Sequence, residues 1–187
     1  MREFKALDKA LRIESERLLL RPITIEDTEL VLSLRNAEYV RKNFFYRAII
    51  TKEEHENYFH NKCEKGLVFE FLVYEKESMD AIGVVYLQKY DEKEDSLESG
   101  LFFSENAPKK KGYATEAIKM LNDFAFNDLG VSKTIATVIS TNDASMNLHA
   151  RAGFTEVRRQ EVKTFPDEET VTAVTFELTL KALEGNF

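Results

Sequence analysis

The segment from residue 96 to residue 139 restricts the fold of this chain most, because its apolar pattern changes period twice. The run SLESGLFFS alternates like a strand, and a helical pattern follows from residue 114 to residue 129, with apolar residues three and four positions apart. Gly130 ends this helix, and the apolar run KTIATVIS predicts a second strand. A strand, a helix and a strand in this order form a βαβ unit.

The first strand of this unit has two different faces. Since successive side chains point to opposite sides of a strand, one set lies together and the other set lies opposite. The first set is Leu97, Ser99, Leu101 and Phe103, and the second is Glu98, Gly100 and Phe102. A glycine inside a strand indicates a bulge or a close approach of another backbone segment, and we expect one of these at Gly100.

The flanking sequence predicts more strands and helices around the βαβ unit. Runs of β-branched and aromatic residues predict strands at RLLLRPI, LVFEFLVYE and AIGVVYLQKY, and a closing antiparallel pair lies near the C-terminus. Thr24 and Asp27 have the positions of helix caps, and a T-x-x-E capping box predicts a helix from about residue 52 to residue 62. A short helix ends at Gly153. The fold class is therefore mixed α/β, with a central sheet flanked by helices.

Length and composition favour one domain, residues 1–187, with residues 1–15 as an N-terminal extension. A chain of 187 residues with 7 Gly and 3 Pro contains no obvious linker. The N-terminus lacks the apolar core of a secretory signal, and no stretch approaches the roughly 18 apolar residues of a membrane span. These features predict a cytoplasmic protein without a membrane partner. Cys63, the single cysteine, excludes an internal disulfide and is interpreted as an unreactive thiol.

The charge balance excludes one class of partner. A net charge of −7 and a pI near 5.2 disfavour nucleic-acid binding, which requires a basic surface. An acidic surface suits a cationic acceptor such as an amine, and it equally suits solubility alone.

The run KKKGYATEA places a glycine directly before the long helix. A glycine turn brings unpaired backbone N–H groups together at a helix N-terminus, which carries partial positive charge, so this turn can bind an anion. The two common phosphate motifs, G-x-x-x-x-G-K-[ST] and G-x-G-x-x-G, are absent from the sequence. The alternative is a solvated lysine run before a helix that a glycine caps.

The same run resembles the acyl-CoA motif of the GNAT superfamily of N-acetyltransferases, Q/R-x-x-G-x-G/A followed by a helix. Residues 109–114, KKKGYA, occupy this motif, with Lys109 where the family prefers Gln or Arg. The run TNDASMNLHARAGF is similar to the second conserved stretch of that family, through Asn142, Ser145, Gly153 and Phe154. The opening ERLLLRPITIEDTELVLSLRN is similar to the Rim-type branch, which acetylates N-terminal amines of ribosomal proteins. The resemblance spans residues 16–180.

The resemblance implies a mostly antiparallel GNAT sheet with two splayed parallel central strands, SGLFFS being the bulged strand and KTIATVIS its partner. It also implies acetyl-CoA as the cosubstrate, with its acyl-pantetheine arm between these strands. The residues expected to bind it are Leu101, Phe102, Phe103, Lys109, Lys111, Gly112, Tyr113, Ala114, Thr115, Asn142 and Ser145. For Asn142, a plain helix cap is the alternative. No metal site is expected.

The implied reaction is the attack of a primary amine on the acetyl thioester. A lysine-like amine with a reference pKa of about 10.4 must first lose a proton, and Glu98 is the candidate base. The alternative is a surface glutamate. His149 occupies the position where many GNAT enzymes have a tyrosine that protonates the leaving thiolate, and a histidine that only packs on the helix is the alternative.

The acceptor is the least defined part of this prediction. Its pocket is expected to involve the first helices and their connection, with substrate-binding residues Arg35, Phe44, Phe45 and Tyr46. A protein N-terminal α-amine ranks first by resemblance. The alternatives are a small-molecule amine, either a polyamine or an amino-sugar nucleotide, and a catalytically idle CoA-binding module. The protein is expected to be a monomer or a homodimer.

Overall fold

The structure, a computed structural model, describes residues 2–109 and 111–181. Lys110 of the KKKGYA motif therefore lies outside the described residues, as do both ends of the predicted domain. The described strands form a single sheet. They are β1 (Ile13–Glu14), β2 (Leu18–Pro22), β3 (Val68–Glu75), β4 (Ala81–Asp91), β5 (Ser96–Phe103), β6 (Lys133–Ile139), β7 (Thr155–Lys163) and β8 (Thr170–Thr179).

The sheet has the order β1-β2-β3-β4-β5-β6-β8-β7, and only β5 and β6 pair in parallel. Their pairing covers three registered positions, Ser96 with Lys133, Leu97 with Thr134, and Glu98 with Ile135. Both strands continue beyond these positions without pairing to each other. The predicted mixed fold with two splayed parallel strands is confirmed.

Helices flank the sheet, and no helix of the described residues has the length and apolar character needed to span a membrane. A 3₁₀ turn at Ile25–Asp27 precedes the first helix, and a π-helical turn at Phe59–Cys63 continues the third. The helix predicted over residues 52–62 is therefore α-helical only in its first part. The helices are α1 (Thr28–Arg35), α2 (Glu38–Arg41), α3 (Lys52–Tyr58), α4 (Tyr113–Asn127) and α5 (Asp143–Arg151).

Both predicted helix caps are present. The backbone N–H of Glu54 donates to Thr51 Oγ1 at 3.2 Å, and the Thr51 N–H donates to Glu54 Oε2 at 2.7 Å. In the same way, the Thr24 N–H donates to Asp27 Oδ2 at 2.8 Å. These bonds satisfy groups that a helix start leaves without partners, so sequence alone locates both starts well.

The core lies on both faces of the sheet, and the alternation of β5 separates them. Leu97 packs in an apolar cluster with Leu121 and Phe124 of α4. Phe102 points to the other face, where it packs in a second cluster with Val31 of α1. The predicted division of the β5 side chains between two faces is therefore confirmed.

The predicted bulge is not at Gly100. Gly100 pairs with Tyr86 in regular register, and a β-carbon at position 100 would overlap the Tyr86 ring, so the glycine provides room for a cross-strand aromatic side chain. The register shift lies on β4 instead, between Gln88 and Asp91, where Lys89 has a φ of 52°. The bulge therefore belongs to the strand beside β5.

The N-terminal extension packs against the sheet. The Phe4 ring makes edge contacts with Phe69 at 5.5 Å and with Tyr90 at 5.1 Å between ring centroids. The Phe4 carbonyl oxygen also lies 2.6 Å from where a β-carbon of Gly66 would be, which explains the glycine there. The extension thus covers apolar side chains of β3 and β4.

Candidate active site

A cavity of about 840 Å³ lies where β5 and β6 separate. Its walls come from α1 to α3, from the middle strands of the sheet, from the first turn of α4 and from α5. Most of the predicted site residues line it. They are Arg35, Phe44, Phe45, Tyr46, Glu98, Leu101, Phe102, Phe103, Ala114, Asn142, Ser145 and His149.

Because β5 and β6 separate, one edge of β5 has no strand partner. From Ser99 to Phe103, β5 pairs with β4 on one side and with no residue of β6 on the other. Backbone N–H and C=O groups need partners, so a free strand edge inside a cavity can bind an extended ligand arm. This edge fits the expected position of the acyl-pantetheine arm.

The glycine turn lies outside the residues that line the cavity and precedes α4. Gly112 has a φ of 76° and ψ of 11°, a left-handed conformation that favours glycine, and it is the N-terminal cap residue of α4. The first N–H groups of α4, at Tyr113, Ala114 and Thr115, have no partner inside the helix. A β-carbon at Gly112 would meet no atom of the described residues within 4 Å, so this part of the structure leaves the turn open to a ligand. This arrangement fits a diphosphate at the helix N-terminus.

The side chains of the turn are held by residues that the sequence reading missed. The Arg17 guanidinium donates to the Lys111 carbonyl oxygen at 2.9 Å and pairs with Glu116. Glu75 Oε1 accepts from Tyr113 Oη at 2.6 Å and from Lys111 Nζ at 3.2 Å. The Lys111 and Tyr113 side chains thus fix the turn, and binding of an anion by the backbone N–H groups at the start of α4 stays a prediction.

Lys109, the other lysine predicted to bind the cofactor, lies next to an aromatic ring. Its ammonium nitrogen lies 5.6 Å from the centroid of the Tyr39 ring, a residue of α2 that lines the cavity. A cation at this distance from an aromatic ring makes a cation–π contact. A role for Lys109 in attracting the anion stays a prediction.

Glu98 lies at the last paired position of the parallel strands and lines the cavity. Gln88 Nε2 donates to its Oε1 at 2.9 Å, and Lys89 Nζ lies 3.0 Å from its Oε2. Both partners come from the bulged part of β4, so the bulge positions the carboxylate. A carboxylate held in a cavity beside a free strand edge can accept a proton from an amine. Its catalytic role stays a prediction.

His149 is buried and faces a carbonyl rather than solvent. Its Nδ1 lies 2.8 Å from the Ser145 carbonyl oxygen, and its ring stacks on Phe176 with a centroid distance of 5.6 Å. Because a carbonyl only accepts, Nδ1 carries the proton and Nε2 has none in the neutral ring. Burial lowers the pKa of His149, which favours this neutral form. Nε2 has no hydrogen-bond partner among the described residues and in this form accepts rather than donates.

Asn142 is the cap residue of α5. Its Oδ1 accepts from the backbone N–H of Ser145 at 3.1 Å, which is the alternative that the sequence left open. Asn142 also lines the cavity. A contact of Asn142 with the cofactor stays a prediction.

Sequence reading also missed Glu70, a buried carboxyl on β3 that lines the same cavity. Tyr58 Oη donates to its Oε2 at 3.2 Å. Burial raises the pKa of Glu70 to about 7, since the charged form loses hydration, and the Tyr58 hydrogen bond and nearby Arg35 only partly oppose this. A glutamate inside the apolar run LVFEFLVYE was the one signal that could have identified it.

The connection between α2 and α3 forms one wall of the cavity, and the β7–β8 turn holds it. The Arg47 N–H donates to the Phe165 carbonyl oxygen at 2.6 Å, and the Phe165 N–H donates to the Phe45 carbonyl oxygen at 2.7 Å. The rings of Tyr46 and Phe165 stack with a centroid distance of 5.3 Å. Two distant loops therefore meet beside the predicted acceptor residues.

The raised pKa of Glu70 predicts a pH-dependent stability difference between the wild type and Glu70→Gln. The folded protein holds the Glu70 proton more tightly than the unfolded chain, whose ordinary pKa is 4.5, so this stabilisation is complete below pH 4.5 and is lost as the pH rises through about 7. From pH 5 to pH 8.5, the wild type should lose about 2–3 kcal/mol of unfolding free energy relative to Glu70→Gln. Denaturant unfolding at both pH values measures this difference.

The matched control for this experiment is Glu53→Gln, which changes an exposed carboxylate of α3. Its unfolding free energy should differ from that of the wild type by the same amount across this pH range. A constant difference for Glu70→Gln as well would show that the Glu70 carboxyl titrates normally.

Comparison with protein families identifies the class of protein. Residues 17–155 match the model of the Acetyltransferase (GNAT) domain, and the chain therefore belongs to this family. It is an acetyltransferase that uses acetyl-CoA as its donor. The open turn at Gly112 and the free edge of β5 fit this donor.

Individual relatives are similar over most of their length. The Bacillus subtilis protein "Probable N-acetyltransferase YjcK" is 24% identical over 165 residues, which cover 81% of this chain and 88% of that protein. A Vibrio cholerae spermidine N-acetyltransferase, solved with CoA and spermine, has a TM-score of 0.81 at 19% identity and covers 90% of this chain and 98% of its own. A Vibrio cholerae protein described as a ribosomal-protein-serine acetyltransferase has a TM-score of 0.72 at 19% identity, with coverages of 92% and 99%. The Rim-type branch stays a prediction.

Proposed function

We propose that this protein transfers the acetyl group of acetyl-CoA to the primary amine of a small molecule. The main support for this proposal is the position of Glu98. This carboxylate lines the cavity at the point where β5 and β6 stop pairing. An acceptor amine in the cavity would lie between this base and the free strand edge. The fold similarity to a spermidine N-acetyltransferase supports a small acceptor.

The residues of the cavity supply the proton path. A primary amine with a reference pKa of about 8 to 10.4 is mostly protonated at neutral pH and cannot attack until a base removes a proton. Glu98 accepts this proton, and Gln88 and Lys89 hold its two oxygens in place. Bound acetyl-CoA supplies the activated acetyl thioester. The β5 edge would hold its arm, and the turn at Gly112 would hold its diphosphate.

The loops around the cavity favour a small acceptor over a protein N-terminus. The backbone hydrogen bonds of Phe165 with Phe45 and Arg47 join the α2–α3 connection to the β7–β8 turn. Arg47 Nη1 strengthens this junction through Asp167 at 2.8 Å. A polypeptide acceptor needs an open groove for several residues, and the junction holds together two loops beside Phe45 and Tyr46, which line the cavity. This argument reverses the ranking that resemblance to the Rim-type branch gave.

An acceptor panel tests the proposed function. Purified protein with acetyl-CoA is expected to release free CoA thiol with spermidine, D-glucosamine or small amino acid amides, and mass spectrometry should find one added acetyl group on the amine. Peptides that begin with serine or alanine should react at least about 10-fold more slowly, since the joined loops would oppose the entry of a longer chain. Transfer to peptides alone would overturn the small-molecule proposal in favour of a protein N-terminus.

A further inference from the structure

Polar side chains of three neighbouring strands share one face of the sheet at the cavity. Glu70 of β3 is in register with Tyr86 of β4, and Tyr86 is in register with Gly100 of β5. Glu98 lies two residues from Gly100 and therefore points to the same face. Two strand spacings of about 4.8 Å and one two-residue step put Glu70 and Glu98 roughly 12 Å apart at their Cα atoms. Glu70 thus faces the cavity at a distance from the reacting amine.

Glu70 has an unused hydrogen-bonding atom. Its residue is 6% exposed, and its Oε2 accepts from Tyr58 Oη. No described residue donates a hydrogen bond to its Oε1. Since Oε1 is not among the fully buried atoms without a partner in the described residues, it stays accessible from the cavity, where a ligand can donate to it.

Arg35 of α1 also faces the cavity and is also incompletely paired. The residue is 8% exposed, its guanidinium lies 3.8 Å from the centroid of the Phe44 ring, and its Nη2 donates to the Tyr46 carbonyl oxygen at 2.8 Å. Its Nη1 has no hydrogen-bond partner among the described residues. Burial lowers the pKa of Arg35, but a guanidinium keeps its charge in proteins.

Arg35 and Glu70 do not pair with each other. Although both line the same cavity and their charges attract, no ion pair within 4.0 Å joins them among the ion pairs of the described residues. A buried guanidinium whose Nη1 has no partner is unfavourable unless a polar group in the cavity completes its hydrogen bonds. The cavity provides the space for such a group.

We propose that Arg35 and Glu70 form a subsite that binds an oxygen-bearing group of the acceptor, a hydroxyl, a carbonyl or a carboxylate, a few bonds from the amine. This inference rests on the proposed function. Arg35 donates to the oxygen, and Glu70 accepts from a hydroxyl or an amide N–H of the same group. A carboxylate has no donor for Glu70 and would be held by Arg35 alone. A polyamine offers no oxygen, and it would bring a second positive charge towards Arg35. Specificity in this cavity therefore differs from that of a spermidine enzyme, despite the shared fold.

The test compares amines that differ only in oxygen content. D-glucosamine is compared with cyclohexylamine for hydroxyls, and L-alaninamide and L-alanine are compared with isopropylamine for a carbonyl and a carboxylate. Spermidine is the polycation. For the wild type, kcat/KM should be at least about 10-fold higher for one oxygen-bearing member than for its oxygen-free analogue and for spermidine, because a site built for hydrogen bonds rejects analogues that lack them.

Substitution of Arg35 tests whether the preference for oxygen-bearing amines comes from this subsite. Arg35→Met keeps an apolar stem over Phe44 and removes the donors, and it should lower kcat/KM for the preferred acceptor about 10- to 100-fold, mainly through KM. The oxygen-free analogue should change less than about 3-fold. Glu70→Gln should give a smaller loss in the same direction.

Arg41→Met is the matched control for loss of loop support. Arg41 donates to the carbonyl oxygens of Asn36 at 2.9 Å and Arg47 at 2.8 Å, so it holds the same connection, but it does not line the cavity. It should leave the preference between oxygen-bearing and oxygen-free amines unchanged.

The results that would contradict the subsite differ from those that would contradict the proposed function. Equal losses for both kinds of amine in Arg35→Met, or spermidine as the best acceptor of the wild type, would overturn the subsite and leave the proposed function intact. Transfer to no amine of the panel would contradict the proposed function and the subsite with it.

Discussion

Gly112→Asp is expected to weaken acetyl-CoA binding by at least about 100-fold. The substitution places a carboxylate at the N-terminal cap of α4, next to the N–H groups that would bind the diphosphate. Two like charges about 4 Å apart repel by roughly 1–4 kcal/mol at a protein surface, and the diphosphate carries more than one charge. Isothermal titration calorimetry with acetyl-CoA measures the change.

Gly112→Asn is the matched control for this substitution. Asparagine has the shape of aspartate without its charge, and it tolerates the left-handed conformation that Gly112 adopts at a φ of 76°. A side chain fits among the described residues, because none of their atoms lies within 4 Å of a β-carbon at this position. Gly112→Asn should bind acetyl-CoA within about 10-fold of the wild type. If Gly112→Asp bound equally well, the diphosphate would lie elsewhere.

Glu98→Gln is expected to lower turnover by about 10²- to 10⁴-fold, the range typical of a lost general base. Acetyl-CoA affinity should change little, since Glu98 lies apart from the glycine turn. The mutant should recover partly at high pH, where more of the amine is already neutral. Steady-state rates of thiol release between pH 7 and pH 10 on a verified acceptor test both expectations.

Two controls separate this effect from a change in structure. Glu53→Gln alters an exposed acid outside the cavity and should keep full turnover. Lys89→Met removes the cation 3.0 Å from Glu98 but leaves the Gln88 hydrogen bond, and it should lower turnover far less than Glu98→Gln. Wild-type turnover in Glu98→Gln at neutral pH would exclude this residue as the base.

The sequence predicts the elements of the site well where the signal is local. The capping boxes, the switch from strand to helix at Gly112 and the helix end at Gly130 depend on residues within a few positions of one another. The parallel pair of β5 and β6 was predicted from the resemblance of two short motifs to a known family. Periodicity also divided the side chains of β5 correctly between the two faces.

Features that depend on contacts between distant segments were not predictable. The glycine at position 100 indicated a bulge or a close approach, and only the structure shows that the Tyr86 ring is the cause and that the bulge lies on β4. The contact between Glu75 and Lys111 joins residues 36 positions apart, and no local pattern indicates it. Glu70 was partly predictable, because a carboxyl within an apolar strand pattern is visible in the sequence. Its proximity to Tyr58 and Arg35 is not.

A crystal structure of the protein with CoA tests the central claim most directly. We predict that the diphosphate oxygens accept hydrogen bonds from backbone N–H groups at the start of α4, with the pantetheine arm along the free edge of β5 and the thiol near Glu98. CoA bound outside the gap between β5 and β6, or a diphosphate held by lysine side chains away from the α4 N-terminus, would contradict this account.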